Sequence, residues 1–277
     1  MAQDCTANSR TVIAFAPITA FLTYRSRNFR GLIPLCPNLE LPVLKLAKSV
    51  VKNALNRYPQ RICRQEFESQ TFTRFNERPI EFAFVFRKLG EIYPRKVLDV
   101  GTGTTALPHL MRNCGFLVTA TDNVRDYWPS GMQNRHYHVI DDDITQSRLD
   151  ESFDLITCVS VLEHIVRSAD AVGNMFRLLN QNGYLILSFP YSERTYVRNV
   201  YDLAGSNYGQ GLSYITQSYS RAEVDRWVAE NNGVIVEQEY WQFWDGDYWT
   251  LGNQIIPPRK VTAADKHQHT CMLLRKR

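Results

Sequence analysis

The sequence predicts an α/β fold built around a mostly parallel sheet. Three features predict it. Short apolar runs alternate with helical segments from Pro79 onward. A glycine-rich turn, Gly101-Thr102-Gly103, follows the first of those runs, and an acid, Asp122, ends the second, 21 residues after Gly101.

The chain has 277 residues, which suits one α/β domain with an additional N-terminal piece. Hydrophobic residues at 44% and charged residues at 22% place it among ordinary globular chains. Net charge is +4, but it is unevenly spread. Residues 1–95 carry 15 Lys/Arg against 7 Asp/Glu, whereas the remainder carries 17 against 21, so the basic surplus is N-terminal. The six cysteines form no C-x-x-C pair and no zinc-ligand grouping with histidine, so free thiols and no metal are expected. Thr11–Tyr24 is apolar but short and contains Pro17, and the preceding residues lack the basic start of a signal peptide. A cytoplasmic location is therefore expected.

Residues 1–78 are expected to form a helical extension or substrate lid, and residues 79–277 the catalytic domain. Within the extension, Leu41–Arg57 sets Leu44, Ala47, Val51 and Leu55 on one helical face and Lys45, Lys48 and Lys52 on others. Such a basic amphipathic helix either packs on the domain or makes a weak contact with a membrane or a larger synthase.

Pro79 can open a helix because it lacks only an N–H that would be unpaired there. Phe82, Val85, Phe86 and Leu89 give that helix a core face, and Gly90 and Pro94 end it. A buried strand, Lys96–Val100, leads into the glycine turn, and a helix runs from about Thr105 to Asn113. Strands follow at Leu117–Thr121, near Tyr137–Ile140, and at Phe153–Val159. After helical segments from Leu162 and at Ala169–Leu179 comes a fifth strand, Tyr184–Phe189. Residues 191–219 hold six tyrosines without a clean period and read as an insertion. Ser220-x-x-Glu223 is a capping box for a helix reaching Glu230. Strands Val234–Gln242 and Thr270–Leu274 close the chain.

In the motif Asp99-Val-Gly101-Thr-Gly103, small residues let the backbone approach a ligand, and the helix start beyond favours negative groups. An acid ending the second strand can accept both hydroxyls of a ribose. The glycine spacing also fits a dinucleotide fingerprint, which would make a nicotinamide oxidoreductase. Asp99 separates the two: an acid beside the loop repels a pyrophosphate and welcomes a methionine ammonium. A cofactor-binding protein without catalysis is the third reading.

With Asp142-Asp143-Ile144, with Phe153–His164, where Val159-Ser160-Val161-Leu162-Glu163-His164 ends a strand, and with Leu178–Pro190, these blocks resemble class I S-adenosylmethionine-dependent methyltransferases of the small-molecule group. The resemblance spans roughly residues 79–275. It implies a Rossmann-like seven-stranded sheet in the order 3-2-1-4-5-7-6 with the last strand antiparallel. It also implies roles. Asp99, Gly101, Thr102 and Gly103 would line the methionine end of S-adenosylmethionine. Asp122 would hold the ribose, with Asn123 beside it. Asp143, or Asp142 in the alternative register, would accept from the adenine amino group while Ile144 packs on the ring. Val159 and Ser160 would lie under the sulfonium. Thr105 departs from the glycine common at its position.

His164 could take a proton from a hydroxyl near neutral pH, with Glu163 beside it, or the two could merely cap the segment after the fourth strand. His267 and His269 could likewise serve as a base or as ligands, or sit at a solvated strand end. The aromatic cluster Tyr240–Trp249 is either core or a pocket wall. Tyr191, Tyr196, Tyr214, Trp241 and Trp244 are the candidate acceptor contacts. The basic and aromatic regions do not coincide, so nucleic acid is not expected as a partner. The expected activity is methyl transfer to a small, medium or carrier-bound organic acceptor, at oxygen before nitrogen. A natural-product setting (polyketide, peptide or glycoside) is expected. Oligomeric state is not encoded legibly.

Overall fold

Among the described residues, nine strands join one sheet, and its order carries the site. In a computed structural model, residues 42–69, 75–103, 105–123, 137–212 and 214–277 are described. The strands are β1 (Lys96–Val100), β2 (Leu117–Asp122), β3 (Val139–Asp141), β4 (Phe153–Val159), β5 (Leu179–Ser192), β6 (Tyr219–Ser220), β7 (Gly233–Trp244), β8 (Gln254–Val261) and β9 (His269–Lys276). Their order is β3-β2-β1-β4-β5-β9-β7-β8, with β6 paired to β5. The first five run parallel, and β9 is antiparallel to both β5 and β7. Without β6 and β8 this is the expected order, with one reversed strand between β5 and β7. The unexpected β8 pairs antiparallel with β7 and extends that edge.

The helices are α1 (Pro42–Ser69), α2 (Arg78–Ile92), α3 (Leu107–Asn113), α4 (Ser168–Leu178) and α5 (Arg221–Glu230). Alternation along each strand sends successive side chains to opposite layers. Val97, Leu155, Ile186 and Leu273 pack with Phe84, Leu89 and Met111 of α2 and α3. Leu98, Ile156, Leu187 and Met272 pack with Met175 of α4 and Trp227 of α5 on the other face. Covering both faces is why β1 and β4 read as continuous apolar runs.

Local differences from expectation have local causes. Gly90 lies inside α2, which ends at Tyr93, a left-handed residue whose N–H donates to Leu89. Leu162–His164 forms a single 3-10 turn, and the helix proper starts at Ser168. The capping box of α5 forms as expected, with the Ser220 N–H donating to Glu223 at 3.0 Å.

The chain divides into two units, Met1–Gln60 and Arg61–Arg277. The apolar stretch Thr11–Tyr24 lies outside the described residues. In α1, side chains from Lys45 to Tyr58 are exposed, including Leu46, Val51 and Leu55. No helix among the described residues is long and apolar enough to cross a membrane.

Candidate active site

The carboxyl ends of parallel strands are where an α/β sheet presents its loops to a ligand. At the end of β1 the chain turns at Gly101, whose φ is +69°, and its N–H donates to Thr121 at 2.8 Å. A Cβ there would stand 2.4 Å from a methyl of Val161, so only glycine fits. Gly103 also has positive φ, and its N–H donates to Asp122 at 2.7 Å. Asp122 therefore both ends β2 and fixes the loop across from it.

After β3 the two neighbouring acids have different work. Both oxygens of Asp143 are taken up locally, by the N–H of Thr145 and the amide of Gln146. Asp142 accepts from the N–H of Arg148 through Oδ1, while its buried Oδ2 has no partner among the described residues. A buried acceptor left open in this way is a place for a ligand donor. Both acids, Asp122, Asn123, Gly101 and Gly103 line one cavity of about 610 Å³. Ile144, Ser160 and His164 line it too.

Asp99, Thr102 and Val159 line a separate small crevice that shares Gly101 with this cavity. Asp99 is buried and accepts from Thr157 Oγ1 at 2.5 Å. Burial pushes its carboxyl up to about 6, against the lowering effect of hydrogen bonds from Thr157 and Thr102. The discriminating acid of the motif thus lines this crevice and not the larger cavity.

A second cavity of about 700 Å³ has an aromatic wall that includes Tyr201, Tyr208, Tyr214, Phe243, Trp244 and Trp249. Asn76, Arg78, Ser160 and His164 line both cavities and form their seam. Of the candidate acceptor contacts, Tyr214 and Trp244 line this second cavity. The others are placed elsewhere. Tyr191 is fully buried because β5 continues through it, and its ring stacks on His267 at 5.7 Å. Tyr196 donates to Gln217 and borders a separate surface hollow. Trp241 donates to Glu239 on β7.

The seam is held by a buried polar cluster that the sequence did not reveal. Glu81 of α2 is fully buried and accepts from Ser160 Oγ at 2.5 Å, Ser188 Oγ at 2.7 Å and Arg78 Nη1 at 3.0 Å. The ring of His269 on β9 stands 3.2 Å from the same carboxylate. Burial pushes the Glu81 carboxyl up, but the Arg78 guanidinium, His269 and Ser160 together hold it at about 2. Arg78 also donates to the carbonyl of Val159, which ties the start of α2 to the end of β4.

His164 Nδ1 lies 2.8 Å from the carbonyl oxygen of Ile215. A carbonyl only accepts, so Nδ1 carries the proton and Nε2 keeps its lone pair. Burial lowers the affinity of this ring for a second proton. Glu163 is buried in the wall of the second cavity, its Oε2 has no partner among the described residues, and burial pushes its carboxyl up to about 8.

A family model described as "Methyltransferase domain" matches residues 67–238. Curated relatives include a ubiquinone biosynthesis O-methyltransferase of Glaesserella parasuis, 29% identical over 40% of this chain and 51% of the relative. The enzyme of that name from Alkalilimnicola ehrlichii is 28% identical over 57% of this chain and 68% of the relative. The chain thus spans about half the length of the first relative. Among solved structures, the Burkholderia thailandensis 1,6-didemethyltoxoflavin-N1-methyltransferase is similar at 16% identity and TM-score 0.49, covering 88% of this chain and 93% of that one. TehB from Haemophilus influenzae has 17% identity and TM-score 0.49, covering 76% and 65%.

Proposed function

The chain belongs to the methyltransferase-domain family, and on that premise we propose that it moves a methyl group from S-adenosylmethionine to an oxygen of a small or medium organic acceptor. The observation that carries this reading is the seam: two cavities, one ringed by acids and one by aromatic side chains, meet at Ser160 and His164.

The residues of the first cavity suit the donor. Gly101 leaves room where a Cβ would close the turn, and Asp122 stands where a ribose diol can be accepted. The unpartnered Oδ2 of Asp142 suits the adenine amino group, whereas Asp143 is occupied in capping its own turn. Ile144 offers an apolar face to the ring. S-adenosylmethionine supplies a methyl on a sulfonium, which leaves as a neutral thioether. Asp99 supports the methionine end by holding Thr102 of the turn and Thr157 of β4.

The chain's own work in catalysis is alignment and proton removal. Holding the two reactants in adjoining cavities supplies proximity. His164, neutral and with Nε2 unprotonated, takes the acceptor's proton. The aromatic wall encloses a ring-bearing acceptor, with Tyr214 and Trp244 among its contacts. Such an enclosure suits a natural-product acceptor, and the relatives named for ubiquinone biosynthesis favour a hydroxylated ring. Incubation with a donor carrying a tritiated methyl group and a panel of hydroxylated aromatic compounds tests this. Label should appear in an organic product at oxygen. Label confined to amine products, or to none of the panel while donor binds, contradicts it.

A further inference from the structure

The wall of the second cavity contains a pair of groups whose hydrogen-bonding characters are opposite. His164 Nε2 is an acceptor, because Nδ1 is committed to the carbonyl of Ile215. Glu163 Oε1 lies 3.9 Å from that Nε2, too far for a direct bond, and Oε2 of the same carboxyl has no partner among the described residues. An oxygen about 2.8 Å from both groups would meet them at roughly a right angle, near the directions of a hydroxyl's proton and lone pair. The gap suits one bridging atom.

The surroundings settle which proton inventory the pair holds. Around Glu163 stand Glu81 and Arg78 of α2, His269 of β9, Cys158 of β4, and the hydroxyls of Tyr201, Tyr214 and Tyr219. Arg78 and His269 are both engaged with Glu81. Among the described residues Glu163 has no cation of its own, and burial outweighs the opposing hydrogen bond from its own backbone to favour the neutral, donating form.

We propose that Glu163 and His164 seize a single hydroxyl oxygen of the acceptor between them, Glu163 donating to one lone pair and His164 accepting the proton, and that this selects a hydroxyl over an amine. This rests on the methyl-transfer function set out above and adds the acceptor's chemical class and a role for Glu163. A hydroxyl oxygen has two lone pairs, so it can accept from Glu163 and still attack with the other. A neutral amine nitrogen has one lone pair, and a donor placed on it removes the nucleophile. A carboxylate acceptor has no proton for His164 and gains nothing from it. In the step, the hydroxyl oxygen forms the C–O bond as the methyl's bond to sulfur breaks. The bonding pair leaves on sulfur, and the hydroxyl proton passes to Nε2.

The test has two parts, both on the full chain. First, infrared difference spectra of the wild type minus Glu163→Gln at neutral pH should show the carbonyl stretch of a protonated carboxylic acid. A carboxylate signal there overturns the proposal. Second, calorimetry with S-adenosylhomocysteine present compares 2-naphthol with 2-naphthylamine, which differ only in the group offered to the pair. Wild type should favour the naphthol by about tenfold, as one hydrogen bond of this kind provides. Glu163→Ala should erase that preference, and Glu163→Gln, which keeps a donor, should retain most of it. Equal binding, an amine preference, or no binding of either probe overturns the proposal. If S-adenosylhomocysteine itself fails to bind, the methyl-transfer function falls; if it binds and the preference is missing, only this inference falls.

Discussion

The backbone N–H of Gly103 donates to Asp122 at 2.7 Å, which joins the glycine turn after β1 to the acid ending β2. One carboxylate therefore shapes the loop and lines the cavity of about 610 Å³. Asp122→Ala should weaken S-adenosylhomocysteine binding by about a hundredfold, since charge-assisted hydrogen bonds contribute about 1.5–3 kcal/mol each. Calorimetry reads this directly, and an unchanged affinity would mean that Asp122 does not hold the ribose.

The adjacent acids after β3 should separate cleanly. Asp142→Asn alters the buried oxygen that has no protein partner, so it should cost about tenfold in donor affinity with little change in melting temperature. Asp143→Ala removes the cap of the Ile144–Gln146 turn and should lower stability by about 1 kcal/mol, with a smaller effect on affinity. The reverse ordering would return the adenine contact to Asp143.

His164→Ala should reduce kcat by about a hundredfold or more, the usual contribution of a positioned base, while donor affinity stays within a factor of a few. Activity in the wild type should rise with pH through a midpoint below the ordinary histidine range, because burial lowers this ring's proton affinity. A variant with unaltered kcat would leave the histidine a purely structural partner of Ile215.

Stability should depend on pH through the buried acids, and the sign differs between them. Glu163 is raised to about 8 and Asp99 to about 6, so each contributes stability that is complete below the unfolded carboxyl range. That contribution is lost as pH rises through those folded values. Glu81 is lowered to about 2, so its contribution is present above the unfolded carboxyl range and is lost as pH falls toward 2. Denaturant midpoints measured from pH 5 to 9 should decline, and Glu163→Gln should flatten that decline. A variant with the wild-type slope would show that Glu163 is ionised in the folded chain.

Much of the sheet was legible because β1, β4 and β5 are buried on both faces and therefore appear as apolar runs. The glycine turn was legible because its glycines answer a steric demand, visible in the contact that any Cβ at Gly101 would make with Val161. The edge strand β8 was not, since Pro257, Pro258, Arg259 and Lys260 break the alternation that marks a strand. Tyr191 was placed in the cavity by composition, whereas the extra length of β5 carries it into the core. The Glu81 cluster was invisible for a different reason. Its partners Ser160 and Ser188 lie 79 and 107 residues away, and only the closed sheet brings them together. An acid among Ile80, Phe82 and Val85 on a core-facing helix was the available signal.

The most direct measurement is titration calorimetry of the full chain with S-adenosylhomocysteine and, separately, with a nicotinamide dinucleotide. One-site binding of the first and no heat with the second is the expected result. Heat from the dinucleotide alone would contradict methyl transfer and assign the cavity above Gly101 to a different cofactor.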